Sequence, residues 1–390
     1  MKNEKFLIDR TEYGPKRVFV IAELGTSHGA DPVKAAELID AAAGAGADCI
    51  KFQYVKASEI LHPNTGEVTL PGGKIRLYDR FRELEKPLSF YAEMKEKVEK
   101  KGLIFLCTPF GLQSAGELNS LGPKCMKIAS PELNYTALLK EIASYNLPIL
   151  LSTGVSKLAD IEEALDLLCQ KSENTSIEVQ DGRNRSNVCL LHCVTAYPAP
   201  EKDYNLRVLK SLKDIFGVPA GVSDHSLDPE LVPVLAVTQG AAVIEKHFCL
   251  SRSGDGLDDP IALPPPAFSQ MVRAVRQAEK TGPEETLAAF YRDRGTELAE
   301  SILGDGVKRL APSERANYER SNRSIHALRD IKKGEAIRKG MFASLRTEKI
   351  LRPGLPPSWE EKITNCTAGE FIASGEGIRF EDLVFQKIAP

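Results

Sequence analysis

The sequence lacks the features that would place a protein in a membrane, outside the cell or on a nucleic acid. No apolar run approaches the ~18 residues that a membrane-spanning helix needs. The first segment, Met1–Arg10, is polar and charged, without the apolar centre of a secretory signal. Basic residues are spread along the chain, and the net charge is -3. We therefore expect a cytoplasmic protein that binds neither membranes nor nucleic acids.

Closely spaced cysteine pairs are also absent. The eight cysteines form no C-x-x-C motif, and most of them lie inside apolar segments. This argues against a zinc site and a disulfide framework, and it is typical of buried thiols in a reducing compartment. The 390 residues, 42% of them hydrophobic, are enough for one large domain and one small one.

Eight short apolar segments recur along the first 250 residues. Each is nearly continuous rather than alternating, which is typical of strands buried on both faces of a parallel sheet. The predicted strands are Val18–Glu23, Asp48–Gln53, Leu103–Thr108, Cys125–Ser130, Pro148–Thr153, Val188–Val194, Ala220–Asp224 and Ala242–Phe248.

Segments with helical periodicity separate these strands. Asp31–Ala45 begins with an N-cap aspartate followed by proline, and Leu158–Gln170 has apolar residues at helical spacing. Further helices are predicted over Asp228–Gln239 and Pro266–Glu279. Eight strand–helix units predict a TIM (β/α)8 barrel, with a doubly wound open sheet as the alternative. The count of eight and the polar strand ends favour the barrel.

The pattern changes after about residue 281, where charged residues become frequent and apolar positions few. Short strands and turns follow from residue 322, at Ser324–Leu328, Lys332–Gly334, Leu351–Gly354 and Ile372–Ser374. We therefore divide the chain into a barrel domain, residues 1–282, a linker, residues 283–321, and a small β-rich domain, residues 322–390.

Ionisable side chains stand at the C-terminal ends of the predicted strands, where TIM barrels carry their active sites. Burying so many charges together is costly unless they meet counter-charges. A ligand with several negative charges plus a metal would supply them. Lysines provide point charges, and hydroxyls are short donors for phosphate and carboxylate oxygens. These candidates are Lys51, Thr108, Lys127, Ser130, Ser152 and Ser223.

His225 and His247 fall on adjacent predicted strands. Since adjacent strands lie ~4.8 Å apart, both imidazoles could reach one divalent ion. Each candidate has a plainer interpretation when taken singly. A lysine at a strand end is usually a solvated rim charge, a serine often satisfies loop backbone, and a lone histidine is usually a hydrogen-bonded core residue.

These residues, in this order, resemble the sialic acid synthase family, which includes N-acetylneuraminate, legionaminate, pseudaminate and spore-coat polysaccharide synthases. The matching stretches in the barrel are Ile21–Gly25, Gly46–Gln53, Lys127–Ser130, Ser152–Gly154, Leu191–Cys193, Tyr197–Pro200, Ser223–His225 and Glu245–Phe248. The segments Asn322–Ile325 and Asp330–Glu335 resemble the antifreeze-like (SAF, β-clip) domain that follows the barrel in that family.

The resemblance implies a transferase that condenses phosphoenolpyruvate with an N-acetylated amino sugar, giving a nine-carbon sugar acid and phosphate. It implies catalytic roles for Glu23, Lys51, Lys127 and Glu132. The phosphoenolpyruvate contacts it implies are Lys51, Thr108, Lys127, Ser130, Ser152 and Ser223, and the sugar contacts are Glu23, Gln53, Tyr197, Glu245, Asp258 and Arg323. It implies Mn²⁺ or Mg²⁺ on His225 and His247. Because the counterpart of Arg323 reaches the partner subunit's site in family members, it also implies a domain-swapped homodimer.

The chain departs from the family pattern at three places near the expected sugar. Ser27 stands where asparagine is usual, Pro131 where glycine is usual, and Asp259-Pro260 where His-Lys is usual. The acceptor sugar is therefore left open. Three alternatives remain: a sugar-phosphate acceptor, a degenerate member that binds sugar or scaffolds a polysaccharide pathway without turnover, and a binding protein that acts through its small domain.

Overall fold

The computed structural model describes residues 5–70, 73–169, 187–254, 256–364 and 366–385. In chain order, the strands of its first 250 residues are β1 (Phe6–Ile8), β2 (Thr11–Tyr13), β3 (Phe19–Gly25), β4 (Cys49–Tyr54), β5 (Glu67–Leu70), β6 (Gly73–Arg76), β7 (Ile104–Pro109), β8 (Met126–Ile128), β9 (Ile149–Ser152), β10 (Val188–His192), β11 (Ala220–Asp224) and β12 (Val243–His247). All eight predicted strands are present, as β3, β4 and β7–β12.

These eight strands form one sheet in the order β7-β4-β3-β12-β11-β10-β9-β8, and every pairing within it is parallel. The first of them, β3, pairs with the last, β12. The strands at the two ends of the order, β7 and β8, follow each other in the chain. A doubly wound open sheet does not pair its first and last strands in this way, so the predicted TIM barrel is confirmed.

Helices follow the strands around the outside of the barrel. They are α1 (Pro32–Gly44), α2 (Ala57–Ile60), α3 (Leu77–Glu83), α4 (Leu88–Lys100), α5 (Leu112–Ser120), α6 (Thr136–Ser144), α7 (Leu158–Leu168), α8 (Val208–Phe216), α9 (Leu231–Thr238), α10 (Pro265–Thr281), α11 (Pro283–Arg294) and α12 (Thr296–Leu303). Asp31 caps α1 as predicted, because its carboxylate accepts a hydrogen bond from the backbone N–H of Val33. Val33 itself faces solvent, and Leu38 and Ile39 are among the residues of α1 that are buried.

Alternation along the barrel strands separates two cores. Outward-facing side chains such as Val20 and Ile50 pack against the helices. Inward-facing side chains such as Ile21 and Leu150 fill the lower barrel, which the β1–β2 hairpin closes with residues including Phe6. The region predicted to be a linker contains α11 and α12, and their buried residues join the outer core. No helix in the described part of the chain is long and apolar enough to cross a membrane.

The C-terminal part has its own apolar core and two antiparallel strand pairs. It contains β13 (Arg323–Ala327) paired with β14 (Phe342–Arg346), a short helix α13 (Glu360–Ile363), and β15 (Cys366–Ala368) paired with β16 (Leu383–Phe385). The predicted strand at Ser324–Leu328 is therefore present. The other three segments lie in turns and loops, of which Ile372 forms a single bridge to Ile331, so the predicted mixture of short strands and turns is present.

Candidate active site

The polar residues of the barrel mouth occupy the inward-facing positions nearest the C-terminal ends of the strands. In β3, Phe19 and Ile21 fill the barrel below Glu23, and in β4 Cys49 lies below Lys51. Because strand side chains alternate with a period of two, an inward position near the upper end of a strand must point into the mouth. The local sequence thus changes from apolar to charged along one face, and the barrel brings these charged ends together.

Two connected chambers occupy the mouth. The inner chamber, of about 90 Å³, lies over the strand ends, and the outer chamber, of about 220 Å³, extends towards the C-terminal domain. Predicted site residues that line the inner chamber are Glu23, Lys51, Gln53, Lys127, Ser130, Ser152, Tyr197, Ser223, His225, Glu245, His247 and Asp258. Thr108 lines the outer chamber, which shares Lys51, Gln53, Tyr197 and Asp258 with the inner one. Of the predicted site residues, Glu132 and Arg323 alone line neither chamber.

Lys51 lies between two carboxylates. Its Nζ is 3.0 Å from Oε2 of Glu23 and 3.2 Å from Oε2 of Glu245. Burial alone would lower the pKa of Lys51, but the two carboxylates raise it more, so its pKa lies above its usual value. Burial likewise opposes ionisation of Glu245, but Lys51 and Lys127 lower the pKa of that carboxyl to about 2. Lys51 and Glu245 are therefore charged at neutral pH.

Lys127 has a different environment. Its Nζ donates hydrogen bonds to Oγ of Ser152, at 2.6 Å, and to the backbone oxygen of Ile128, at 3.0 Å. Burial lowers the pKa of Lys127, and neither hydrogen-bond partner is a carboxylate. Oγ of Ser130 accepts a hydrogen bond from the backbone N–H of Gly154 at 3.0 Å. An anion in the inner chamber would give this buried ammonium group a charged partner in direct contact, in addition to the more distant carboxylates.

The two predicted metal ligands lie side by side. The ring centroids of His225 and His247 are 5.6 Å apart, and Tyr197 stacks on His225 at 4.4 Å. Nδ1 of His225 lies 2.8 Å from the backbone oxygen of Val194. Since a carbonyl oxygen only accepts, Nδ1 carries the hydrogen and Nε2 keeps its lone pair. Burial, and then His247, lower the pKa of His225 to about 3, so its imidazole is in the neutral form that binds metals.

This donor set fits a divalent cation with two protein ligands. The carboxylate of Asp258 is the nearest acid, with Oδ2 3.8 Å from Nδ1 of His247. Among the described residues, no three His, Cys, Asp or Glu side chains are arranged to hold a metal by themselves. A metal ion bound by two imidazoles would therefore keep open coordination positions for substrate or water. Open positions are typical of catalytic rather than structural metal sites.

A buried ion cluster joins the barrel to the C-terminal domain. Glu132 is fully buried, and its Oε1 accepts hydrogen bonds from Nε and Nη2 of Arg323, at 3.0 and 2.8 Å. Arg346 binds the same carboxylate from Nε to Oε1 and from Nη2 to Oε2, both at 2.9 Å. The two arginines face each other across the β13–β14 pair. All three residues belong to one chain, and the exchange of this domain between subunits stays a prediction.

Arg346 is the residue of the C-terminal domain that lines the outer chamber. Arg323, which the resemblance assigned to the sugar, lies behind it and also donates to the backbone oxygen of Phe110 at 2.6 Å. The sequence analysis missed Arg346. No local signal was available, because the β13–β14 pairing that sets the two arginines side by side joins strands separated in sequence.

Unpaired hydroxyls and one loop contact complete the site. The hydroxyls of Thr26, Thr108 and Thr195 are buried and have no hydrogen-bond partner in the described structure. A buried hydroxyl without a partner costs ~1–3 kcal/mol, which a ligand would recover.

Ser27 is hydrogen-bonded to Asp259, so two of the three departures from the family pattern contact each other. This contact holds the loop after β12, which carries Asp258, against the loop after β3.

The sequence profile of the NeuB family matches residues 38–285, well over half of the chain. The chain belongs to the NeuB family. It is 35% identical to the N,N'-diacetyllegionaminic acid synthase of Campylobacter jejuni over 336 residues, which is 85% of this chain and 91% of that protein. It is 33% identical to a pseudaminic acid synthase of Campylobacter jejuni over 374 residues, which is 94% of this chain and 97% of that protein.

A solved structure agrees along almost the whole chain. The crystal structure of the spore coat polysaccharide biosynthesis protein SpsE of Bacillus subtilis superimposes with a TM-score of 0.78 at 31% identity, covering 98% of this chain and 100% of that one. The resemblance inferred from the sequence is thus confirmed, and the chain is an enzyme of the sialic acid synthase type.

Proposed function

We propose that this enzyme condenses phosphoenolpyruvate with an N-acetylated amino sugar, N-acetylmannosamine or a related hexosamine, to give a nine-carbon sialic-acid-type sugar acid and phosphate. The names of the relatives support a sugar-acid product. The observation that carries the proposal is the Lys127–Ser152 pair on the floor of a two-chamber site. It combines a buried ammonium group that has no carboxylate hydrogen-bond partner with a short hydroxyl donor.

Phosphoenolpyruvate would occupy the inner chamber. Its phosphate and carboxylate oxygens are acceptors, and the donors there are ammonium groups and short hydroxyls. We assign these contacts to Lys51, Lys127, Ser130, Ser152 and Ser223 of the inner chamber, with Thr108 reaching from the lining of the outer chamber. Charge-assisted hydrogen bonds from Lys127 and Ser152 would stabilise the phosphate as it departs.

The charge balance of the inner chamber is an argument for a bound divalent metal. The ammonium groups of Lys51 and Lys127 are offset there by the carboxylates of Glu23 and Glu245. A ligand with several negative charges therefore needs further positive charge. His225 and His247 would hold Mn²⁺ or Mg²⁺, which as a Lewis acid supplies polarisation of the sugar's aldehyde oxygen.

The sugar would lie across the border with the outer chamber, held by Glu23, Gln53, Tyr197, Glu245 and Asp258. Nε2 of Gln53 donates to Oε1 of Glu23 at 2.8 Å, which fixes both side chains before a sugar binds. We propose that Arg346 takes the contact that the resemblance gave to Arg323. Glu132 would act through that guanidinium as a positioning residue, because both its oxygens are bound by arginines.

The reaction balances without any further reagent. Carbon 3 of phosphoenolpyruvate forms a bond to the aldehyde carbon, whose oxygen takes up a proton. Water adds to carbon 2 and loses a proton, and the bond between carbon 2 and the bridging oxygen breaks as inorganic phosphate leaves. Orientation of the two substrates in neighbouring chambers lowers the barrier by making their encounter effectively intramolecular.

The position of bond cleavage tests the proposal. Phosphoenolpyruvate labelled with ¹⁸O in the bridging position should yield labelled phosphate, and only when an acceptor sugar is present. Label retained in the organic product would indicate cleavage at phosphorus and would contradict the proposed reaction. The competing hypothesis is a degenerate member that binds sugar without turnover, and it predicts phosphoenolpyruvate or sugar binding by calorimetry with no phosphate release.

A further inference from the structure

Val155, in the loop that follows β9, has a left-handed backbone conformation. Its φ is +43°, although it is a fully buried residue with a branched β-carbon. Residues of this type rarely adopt the left-handed region, because the branched side chain crowds the backbone. The conformation is therefore unfavourable by itself, and it persists only where the surrounding structure holds it.

Side chains from the segment between α12 and β13 hold this loop by its backbone. Oε2 of Glu314 accepts a hydrogen bond from the N–H of Val155 at 3.0 Å, and Nδ2 of Asn322 donates to the oxygen of Val155 at 3.2 Å. Nζ of Lys308 donates to the backbone oxygen of Thr153 at 3.0 Å. The three side chains belong to buried residues that do not line the inner chamber. The segment thus fixes the loop from outside that chamber.

The other side of the loop borders the inner chamber. Ser152, at its start, lines the chamber and accepts the hydrogen bond of Lys127. The backbone N–H of Gly154 donates to Oγ of Ser130, which also lines the chamber. The loop is closely packed here, because a β-carbon at Gly154 would overlap Oγ1 of Thr195. A change in the loop backbone would therefore move two hydroxyls assigned to phosphoenolpyruvate.

Glu314 joins this loop to the next one around the barrel. Its Oε2 also accepts a hydrogen bond from the backbone N–H of Thr195, in the loop after β10, at 2.9 Å. The preceding residue, Val194, accepts the hydrogen bond from Nδ1 of His225 at 2.8 Å. The other oxygen, Oε1, accepts from the backbone N–H of Ala311 at 3.1 Å, within the segment itself. One carboxylate therefore sets two neighbouring loops of the chamber relative to each other.

We propose that Glu314 is a positioning residue for the condensation. It holds Val155 in the left-handed conformation, and this places Ser130 and Ser152 where they can contact phosphoenolpyruvate. The inference rests on the proposed function and adds to it a residue from the segment that joins the two domains. A carboxylate suits the role because both of its oxygens accept hydrogen bonds, whereas a glutamine amide has one oxygen and an NH₂ group that only donates.

The first test is Glu314→Gln, which keeps the side-chain size. We expect kcat/KM for phosphoenolpyruvate, measured by phosphate release, to fall about 10–100-fold, as for a small misplacement of binding groups, with the KM for the acceptor unchanged. Glu319→Gln makes the same change at an exposed position of the segment and should match the parent. Asn322→Asp keeps the acceptor for the backbone N–H of Glu319 but removes the donor to Val155. It should cause a loss of the same kind, and it replaces Glu314→Gln if that variant does not fold.

Val155→Gly separates positioning from general support of the fold. Since glycine adopts the left-handed region without strain, the loop should depend less on Glu314. The loss caused by Glu314→Gln should therefore be at least about threefold smaller in the Val155→Gly background. A purely structural role predicts an equal or greater loss there, because the second substitution removes a buried side chain.

Two results would overturn the inference. One is an equal or greater loss in the Val155→Gly background, and the other is parental kcat/KM for phosphoenolpyruvate in folded Glu314→Gln and Asn322→Asp. Absence of phosphate release by the parent enzyme with every acceptor would instead reject the proposed function itself, so the two failures are distinct.

Discussion

The carboxylate of Glu132 in the barrel binds the guanidinium of Arg346 in the C-terminal domain through two hydrogen bonds of 2.9 Å. The same carboxylate holds Arg323, so one buried acid orders two arginines of the other domain. Arg346 is the member that reaches the outer chamber. The cluster therefore makes the small domain part of the wall of the outer chamber.

Replacing Arg346 should weaken acceptor binding selectively. Arg346→Ala removes the guanidinium from the outer chamber, and we expect the KM for the acceptor to rise about 10-fold or more, as for loss of a charged hydrogen bond, with the KM for phosphoenolpyruvate unchanged. Steady-state kinetics with each substrate varied in turn would measure this. Arg338→Ala, at an exposed position of the same domain, is the control. A rise confined to the KM for phosphoenolpyruvate would contradict the assignment of the chambers.

Lys127→Ala should abolish turnover and leave the fold intact. The lowered pKa of Lys127 shows that its charge is costly in the free protein, so its removal should not destabilise the barrel. Removing a buried group that stabilises the departing phosphate should reduce kcat by at least about 10²–10³-fold. Lys124→Ala, three residues earlier and partly exposed, is the matched control. Retained activity in Lys127→Ala would reject the proposed anion site.

His247→Ala should weaken metal binding, because one imidazole alone makes a poor site. Mn²⁺ binding followed by electron paramagnetic resonance measures this directly and does not depend on activity. We expect the affinity to fall at least about 10-fold. His62→Ala, outside the two chambers, should bind Mn²⁺ like the parent protein. Equal Mn²⁺ affinity in His247→Ala and the parent would remove the metal from these residues.

Acid should destabilise the protein through three buried histidines outside the proposed metal site. Burial lowers the pKa of His192 to about 3 and the pKa values of His28 and His326 to about 4, against 6.5 for an exposed histidine. Below pH 6.5 the unfolded chain therefore binds protons that the folded chain does not. Each such histidine should lower the free energy of unfolding by about 1.4 kcal/mol per pH unit between pH 6 and 5.

The variant His192→Gln isolates the contribution of one of these histidines to the pH dependence of stability. Urea unfolding of this variant should show a dependence on pH that is shallower by about 1.4 kcal/mol per unit in the same window, because glutamine does not titrate. Between pH 7.5 and 8.5 the variant and the parent should show parallel behaviour. An unchanged slope between pH 6 and 5 would show that His192 is not buried in the neutral form.

Mixing two impaired variants tests the proposed domain swap, with activity measured at an acceptor concentration well below the KM of Arg346→Ala. In a swapped dimer of Lys127→Ala with Arg346→Ala, one site combines an intact barrel with an intact partner tail. Equal amounts of the two chains, unfolded and refolded together, should then recover about a quarter of the parental activity. No recovery would indicate that each chain completes its own site, through the contact between Glu132 and Arg346 within one chain.

The barrel was predictable from the sequence because its signal is local. Most barrel strands combine a nearly continuous apolar run with a polar inward residue near the upper end, as in the step from Ile21 to Glu23. Most of the candidate site follows from that alternation. The missed residue, Arg346, and the misplaced one, Arg323, both lie in the small domain. Arg346 is the last residue of the short strand β14. The partner strand of β14 is β13, and the acid that Arg346 binds is Glu132. Both are distant from Arg346 in sequence, so no local pattern indicates them.

The central claim is most directly tested by phosphate release from phosphoenolpyruvate with Mn²⁺ across a panel of acceptor sugars. The panel should contain N-acetylmannosamine, its 6-phosphate and 2,4-diacetamido-6-deoxyhexoses, each with and without the purified enzyme. We predict release that depends on both enzyme and acceptor and is abolished in Lys127→Ala. Binding of phosphoenolpyruvate without release from any acceptor would contradict the account and favour a degenerate, sugar-binding member of the family.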